Sequence, residues 1–367
     1  MNLIEDIPLC LRIIYRLCGI IQFTYEDSPR SFSQILLRLC PIAMFLFYCY
    51  TCVVWFGYLV ASVNLLKLNV LQVEVMMTVW AVFTEITSMV IFTLRSHKLK
   101  MLFLKLEEIR IKPPFREKNK TERDWMKILV LIITFLNFTI EPLHVWGPGF
   151  LIMGFFVIPP VTCILNHLFL GDVLKIVRLQ FKLINQQLQK KVSVAHIGFP
   201  LNKTENLKQL EELSFLHYDL VRLVLEISSY FDVTTLISIV LWFGNFIAAI
   251  YILIMMLNAP FQFKFLFSLM CNVFYYLLWL LMIVCMYSRT QKEANKTSTF
   301  IHQIWNQHSQ KKDLNEGLRH LQLIACRFLN TKLIFNAKNF FRLDETFLHV
   351  MIAAVVTYLI ILIQFRT

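Results

Sequence analysis

Charged side chains are scarce in this sequence. Asp, Glu, Lys and Arg make up 16% of the 367 residues, and 57% are hydrophobic, whereas soluble domains carry about a quarter charged residues. Length alone would suggest two or three soluble domains. So little charge argues instead for one bundle in a membrane. Catalytic signatures are absent too: there is no Gly-rich phosphate loop, no "HExxH" and no "GxSxG", so an enzyme reading finds no support. His144, His167 and His217 have no spaced carboxylate or Cys partners that suggest a metal site, and the nine Cys are scattered. No metal and no other cofactor is expected. Cys49, Cys52, Cys163, Cys271 and Cys285 lie inside apolar runs and are read as small apolar residues. A cleavable signal is also missing: Ile7 to Ile21 is interrupted by Arg12 and Arg16, and the N-terminus is expected to stay cytoplasmic. No internal repeat or low-complexity tract is present, which weighs against a transporter built from two related halves.

What the chain does have is long apolar runs, and a spanning helix needs ~20 such residues. Leu39 to Leu66 holds no charge, and Val75 to Leu94 is broken only by Glu85. Ile128 to Trp146 carries Glu141, and Phe150 to Leu170 follows the turn Gly147-Pro148-Gly149. Val233 to Leu257, Phe265 to Tyr287 and Thr346 to Phe365 bring the expected spans to seven. Pro159-Pro160 should kink the fourth, where neighbouring helices can satisfy the freed carbonyls.

The net charge of +12 is unevenly spread. Of 36 Lys and Arg, 33 fall before span one or between spans two and three, four and five, and six and seven. Only Lys67, Lys264 and Arg366 fall on the other side. The positive-inside rule therefore places the N-terminus in the cytoplasm and the C-terminus outside. Basic residues spread over four segments do not make a nucleic-acid patch. The sequons at Asn119, Asn202 and Asn295 all fall on the cytoplasmic side, so none should carry a glycan.

Between the spans, apolar residues keep helical spacing. Leu174, Val177, Phe181, Ile184 and Leu188 continue span four into the cytoplasm. Leu213, Leu216, Leu220, Leu223 and Ile227 lead into span five. Leu314, Leu318, Leu321, Ala325 and Phe328 precede span seven, with Asp313 and Glu316 at capping-box spacing. These three stripes need cover, either from one another in an intrachain collar or from another subunit. His196 to Pro200 reads as a loop breaker.

Candidates for ligand contact are few. Glu85 is the carboxylate well inside a span, where an acid is costly. It contacts a ligand or ion, or it packs beside Thr84, Thr87 and Ser88. Trp80, Glu141, His144, Trp146, Trp242, Asn245, Tyr251, Asn272, Tyr275 and Tyr276 combine aromatic faces with a few polar groups, a suitable lining for a small-molecule pocket. An interfacial aromatic belt, or ordinary packing, is the alternative for any one of them. Asn245, mid-span and one turn from Trp242, is the foremost of them.

The C-terminal segment carries a motif. Thr357-Tyr358 is followed by five aliphatic residues, Leu359 to Ile363, and then Gln364-Phe365; upstream stand Ala337, Phe340, Phe341, Leu343 and Asp344. This ending resembles that of the insect gustatory receptors, with Lys338-Asn339 in place of the family's usual Cys-Gly. The resemblance implies an all-α, seven-span ligand-gated cation channel, homo- or heterotetrameric and related to insect odorant receptors, in the plasma membrane of gustatory neurons. By that resemblance residues 1–38 form a cytoplasmic N-terminal segment, and 39–288 hold spans one to six with a tastant cavity and cytoplasmic helical extensions. Residues 289–345 form a cytoplasmic anchor, and 346–365 the pore helix. It also assigns the collar stripes to an oligomer.

On such a helix Thr357, Ile360 or Ile361, and Gln364 share one face. Four copies would set apolar gates beside amides that meet a passing cation, with Tyr358 turned away. The sugar-receptor branch of the family places an acid where Leu359 stands, so the resemblance points to a bitter or otherwise non-sugar receptor. A G-protein-coupled receptor is the alternative. The inside N-terminus and the absence of "DRY" and "NPxxY" speak against it. A transporter is a more distant third.

Overall fold

In the computed structural model the described residues are 7–18, 20–21, 39–50, 53, 57, 69–112, 127–130, 132–134, 150–196, 204–256, 263–309 and 316–364. They form helices α1 (Leu9–Leu17), α2 (Asn69–Leu94), α3 (Ser96–Ile111), α4 (Phe150–His196), α5 (Thr204–Met256), α6 (Phe263–Ser309) and α7 (Glu316–Asn330). A two-stranded hairpin follows, β1 (Asn336–Ala337) and β2 (Phe341–Arg342), and then α8 (Glu345–Gln364). Leu39–Tyr50 is a further short apolar helix. The Gly147–Gly149 turn, Asp313, Asn119 and Asn202 lie outside the described residues.

Three helices dominate. α4, α5 and α6 have 47, 53 and 47 residues, which at ~1.5 Å per residue makes each about 70–80 Å long. A bilayer's hydrocarbon core is only ~30 Å thick, so each helix must continue well past a membrane that it crosses. Leu207–Ile254 and Met270–Gln307 include stretches long and apolar enough to cross one. α4 begins at Phe150, where span four was expected, and runs unbroken through Pro159-Pro160 into the extension.

The extensions hold together through the predicted stripes. Leu174, Val177, Phe181, Ile184 and Leu188 of α4 are all buried, as are Leu213, Leu216, Leu220, Leu223 and Ile227 of α5. Leu321, Ala325 and Phe328 of α7 join the same core. Among the described side chains the stripes are therefore covered within one chain, as an intrachain collar. Exposed apolar positions on α5 and α7, Phe215 and Leu323 among them, are the kind of surface left over.

Polar groups in the collar are matched across the α4–α6 seam. The Asn185 amide donates to the Glu293 backbone carbonyl and to its carboxylate, both at 2.8 Å, and its oxygen accepts from the Thr297 hydroxyl at 2.7 Å. His217 of α5 faces the Ala294 carbonyl at 3.0 Å. Its ring sits 5.3 Å from Phe181 and 4.8 Å from Phe328. At the other end of the extensions α1 seats on α4: the Tyr15 hydroxyl donates to Asp172 at 2.9 Å, and its ring meets Phe169 edge-on.

Asn295 is engaged by the fold itself. Its amide donates to the Leu333 carbonyl at 3.0 Å, and its oxygen accepts the Leu333 N–H at 2.9 Å. A glycan on that nitrogen would break the clamp, which agrees with reading the Asn295 sequon as a chance match.

Burial lowers the His217 pKa to about 4 from an ordinary 6.5. Between those values the unfolded chain binds a proton that the folded chain refuses, so stability falls as pH drops from about 6.5 to about 4. Thermal unfolding of the purified protein across this window should show that loss, and His217→Phe should flatten it by about one proton's worth of slope. An unchanged slope would remove His217 from the account.

Candidate functional site

Glu85 lies on α2 among helices that hold several predicted pocket residues. It is fully buried, and neither carboxyl oxygen meets a nitrogen or oxygen donor. The neighbouring hydroxyls do not help it: Thr84, Thr87 and Ser88 each donate to a carbonyl one turn back on α2, at 2.8, 2.8 and 2.9 Å. The Cys163 thiol of α4 faces the carboxyl, with Tyr48 and Cys18 also near it. Cys163 in turn lies 3.4 Å from the Ser238 hydroxyl of α5 and beside Trp242. Tyr48, from the short helix Leu39–Tyr50, closes this side through a 2.8 Å bond to Thr162.

Next to this polar knot is a stack of rings. Trp242 of α5 lies parallel to Trp279 of α6, with centroids 4.2 Å apart and planes at 11°. Tyr275 and Tyr276 each sit 4.9 Å from Trp242. His167 of α4 meets Trp279 edge-on at 5.1 Å and holds the Cys163 carbonyl at 2.8 Å. Five helices thus converge, and the Trp279 indole N–H is buried without a hydrogen-bond partner. Buried N–H groups are nearly always paired, so this knot has donor and acceptor capacity that the protein alone does not use.

Of the predicted ligand contacts, Glu85, Trp242, Tyr275 and Tyr276 come together here. Trp80 is 42% exposed on α2 against Phe83, as the belt alternative would have it. Asn245 and Tyr251 are half-buried further along α5. Glu141, His144 and Trp146 lie outside the described residues. Sequence reasoning missed Trp279, His167, Cys163, Ser238 and Tyr48 as members of the knot. A signal was available: Cys163/His167, Ser238/Trp242 and Tyr275/Trp279 are each four residues apart, so each pair shares a face of an apolar helix.

A second feature borders the rings. An apolar recess opens between α5, α6 and α8, lined among others by Trp242, Phe246, Tyr276, Leu280, Met351 and Val355. Trp242 and Tyr276 thus face the knot on one side and the terminal helix on the other.

The terminal helix stands on a foot built from the upstream motif. Ala337 and Leu343 are buried, and Phe341 stacks on Phe347 at 4.5 Å. Lys338 and Asn339 take the turn with φ of 49° and 64°, and the Phe340 N–H closes it on the Ala337 carbonyl at 2.9 Å. Two left-handed residues in succession are the type I′ arrangement. Asn adopts it readily and Lys at some cost, so the missing glycine leaves the turn intact. Phe340 is 77% exposed.

Asp344 caps α8, its carboxylate accepting the Thr346 N–H at 3.0 Å and the Thr346 hydroxyl. Glu345 then reaches Lys292 and Ser288 of α6, and that lysine holds its carboxyl below the usual range. Along α8, Thr357, Ile360, Ile361 and Gln364 are exposed in the single chain, while Val355 is buried towards the body. The Thr357 hydroxyl is tied back to the Ala353 carbonyl at 2.9 Å. Tyr358 meets Phe243 of α5 edge-on at 5.9 Å with half its surface open. Phe365 lies outside the described residues.

The sequence profile described as 7tm Chemosensory receptor matches residues 9–367. No curated protein matches the sequence. Among solved structures, the insect olfactory receptor OR5 from Machilis hrabei superposes with a TM-score of 0.68 at 15% identity, covering 97% of each chain. The same receptor in complex with eugenol superposes with a TM-score of 0.69 at 14% identity, over 98% of this chain and 97% of that one.

Replacing an unsatisfied buried polar group by an apolar one of similar size is neutral or stabilising. Glu85→Leu should therefore raise the melting temperature of the purified protein, by about 1–3 kcal/mol in stability, while reducing ligand responses. A fall in melting temperature would mean that Glu85 is an integral packing residue.

Proposed function

Because the chain belongs to the 7tm chemosensory receptor family, we propose that it is a gustatory receptor, a subunit of a tastant-gated, non-selective cation channel. It would sit as a multi-pass protein in the plasma membrane of taste neurons, N-terminus inside, in a homo- or heterotetramer. The observation that carries the reading is the terminal helix. Its Thr-Tyr, five aliphatic residues and Gln-Phe are the ending of insect gustatory receptors. The helix stands on a foot formed by the companion motif, and its Thr357, Ile360, Ile361 and Gln364 positions are open in the single chain. Four such helices about an axis bring apolar rings and amide rings together, the first to close by dewetting and the second to meet a partly hydrated cation.

Ligand recognition belongs, in this reading, to the knot of Glu85, Trp242, Tyr275, Tyr276 and Trp279 and to the recess beside it. That region contacts α8 through Met351 and Val355, so a molecule seated there has a direct route to the pore helix. A receptor of the same fold has been solved with eugenol, which favours a small organic tastant. Leu359, where sugar receptors carry an acid, favours a bitter or other non-sugar ligand.

Whole-cell recording with candidate co-receptors and a tastant panel, with G-protein signalling blocked, tests the proposal. The expected result is a ligand-evoked cation current that survives the block and whose relative cation permeabilities change in Gln364→Ala. A current that disappears under the block would sink the channel reading in favour of a G-protein-coupled one.

A further inference from the structure

A second recess lies between α4 and α6, at the level where the predicted spans end. It is lined by Gly171, Leu174, Lys175 and Arg178 of α4, by Met282, Cys285, Met286, Arg289 and Thr290 of α6, and by Lys127. Four of these residues are cationic and none is a carboxylate. On each helix the lining positions step by three and four, so two single faces form its walls.

Three span boundaries meet here. Lys127 directly precedes span three, Gly171 directly follows span four, and Arg289 stands two residues beyond span six. The recess is also polarised along the helices. Its membrane end is Gly171, Met282 and Cys285, and its cytoplasmic end is Lys175, Arg178 and Arg289. Lys127 is buried and held by Asp172, whose other oxygen accepts the Tyr15 hydroxyl. Gly171 lets the Met286 side chain of α6 come close, since a Cβ there would lie 2.2 Å from its sulfur, whereas it would meet Lys127 only at an ordinary contact distance.

We propose that this recess binds the phosphate of an anionic lipid headgroup from the inner leaflet, with a phosphoinositide as the fitting class. Guanidinium groups offer paired donors to phosphate oxygens, and Lys supplies a compact charge. Basic pockets between spanning helices on the cytoplasmic side suit such headgroups. The apolar membrane end accepts the glycerol and the start of the acyl chains, while the cations meet the phosphate. A free phosphate or a soluble inositol phosphate shares the chemistry of the cationic end but makes no use of the apolar one. The inference rests on the span assignment above and not on tastant gating.

Native mass spectrometry of the purified, detergent-solubilised protein tests it, so a silent channel does not obscure the outcome. Phosphatidylinositol bisphosphate and phosphatidylcholine are offered in parallel, with inositol trisphosphate and inorganic phosphate as soluble competitors. The wild type should hold the phosphoinositide in preference to phosphatidylcholine, and equimolar soluble competitors should not displace it. Arg178→Gln combined with Arg289→Gln should weaken binding about twenty-five-fold, from about fivefold for each basic residue.

Arg289 is exposed, so Arg289→Gln alone decides the matter should the double variant fail to fold. Equal retention by wild type and variant, or no preference over phosphatidylcholine, overturns the site. Displacement by equimolar soluble phosphates overturns the lipid as its source. An N-terminal epitope, stained before and after permeabilising cells, reports sidedness separately, so an inverted topology is told apart from an absent site.

Discussion

The seam between α4 and α6 is the contact on which the rest of the structure depends. Two helices more than twice as long as a bilayer's hydrocarbon core is thick stay in register only if they are matched at several heights. Here they are matched by different means at different heights. His167 packs on Trp279 near one end, the cationic recess lies between the helices further along, and Asn185 bridges to Glu293 and Thr297 in the collar. The Asn185 contacts matter most for register. An apolar seam can slide by a turn at little cost, whereas an amide with its partners on one helix face cannot, because a slip leaves buried polar groups unmatched. α5 and α7 then complete the collar through His217 and Phe328, and the foot hangs from α6 through Asn295.

Much of this fold was legible in the sequence, because burial of an amphipathic helix is a local code. Leu174 to Leu188 and Leu213 to Ile227 advertise their inner face by spacing alone, and all ten named positions are buried. What spacing left open was the partner. A stripe reads the same whether its own chain or a neighbour covers it, and here its own chain does. The capping role of Asp344 was not read from the sequence, where that residue stood only as part of the C-terminal motif.

The knot was less legible for a physical reason. Inside a span nearly every residue is apolar, so periodicity no longer separates inside from outside. Trp279 and His167 then look like any aromatic or polar residue in an apolar run, and only helix rotation shows that they meet. Trp80 shows the converse: the same residue type with an outward rotation belongs to the surface. A missing glycine usually forecloses left-handed backbone, but the turn at Lys338-Asn339, within the three-residue connection of the hairpin, admits Asn and tolerates Lys.

α6 is continuous from the ring stack to the foot. Trp279 and Asn295 are sixteen residues apart on it, about 24 Å of unbroken helix. The Asn295 clamp on Leu333 and the Lys292–Glu345 pair fasten the far end to the base of the terminal helix. One unbroken helix therefore ties the position of the rings to the point from which the last helix rises, with no break in the helix between them.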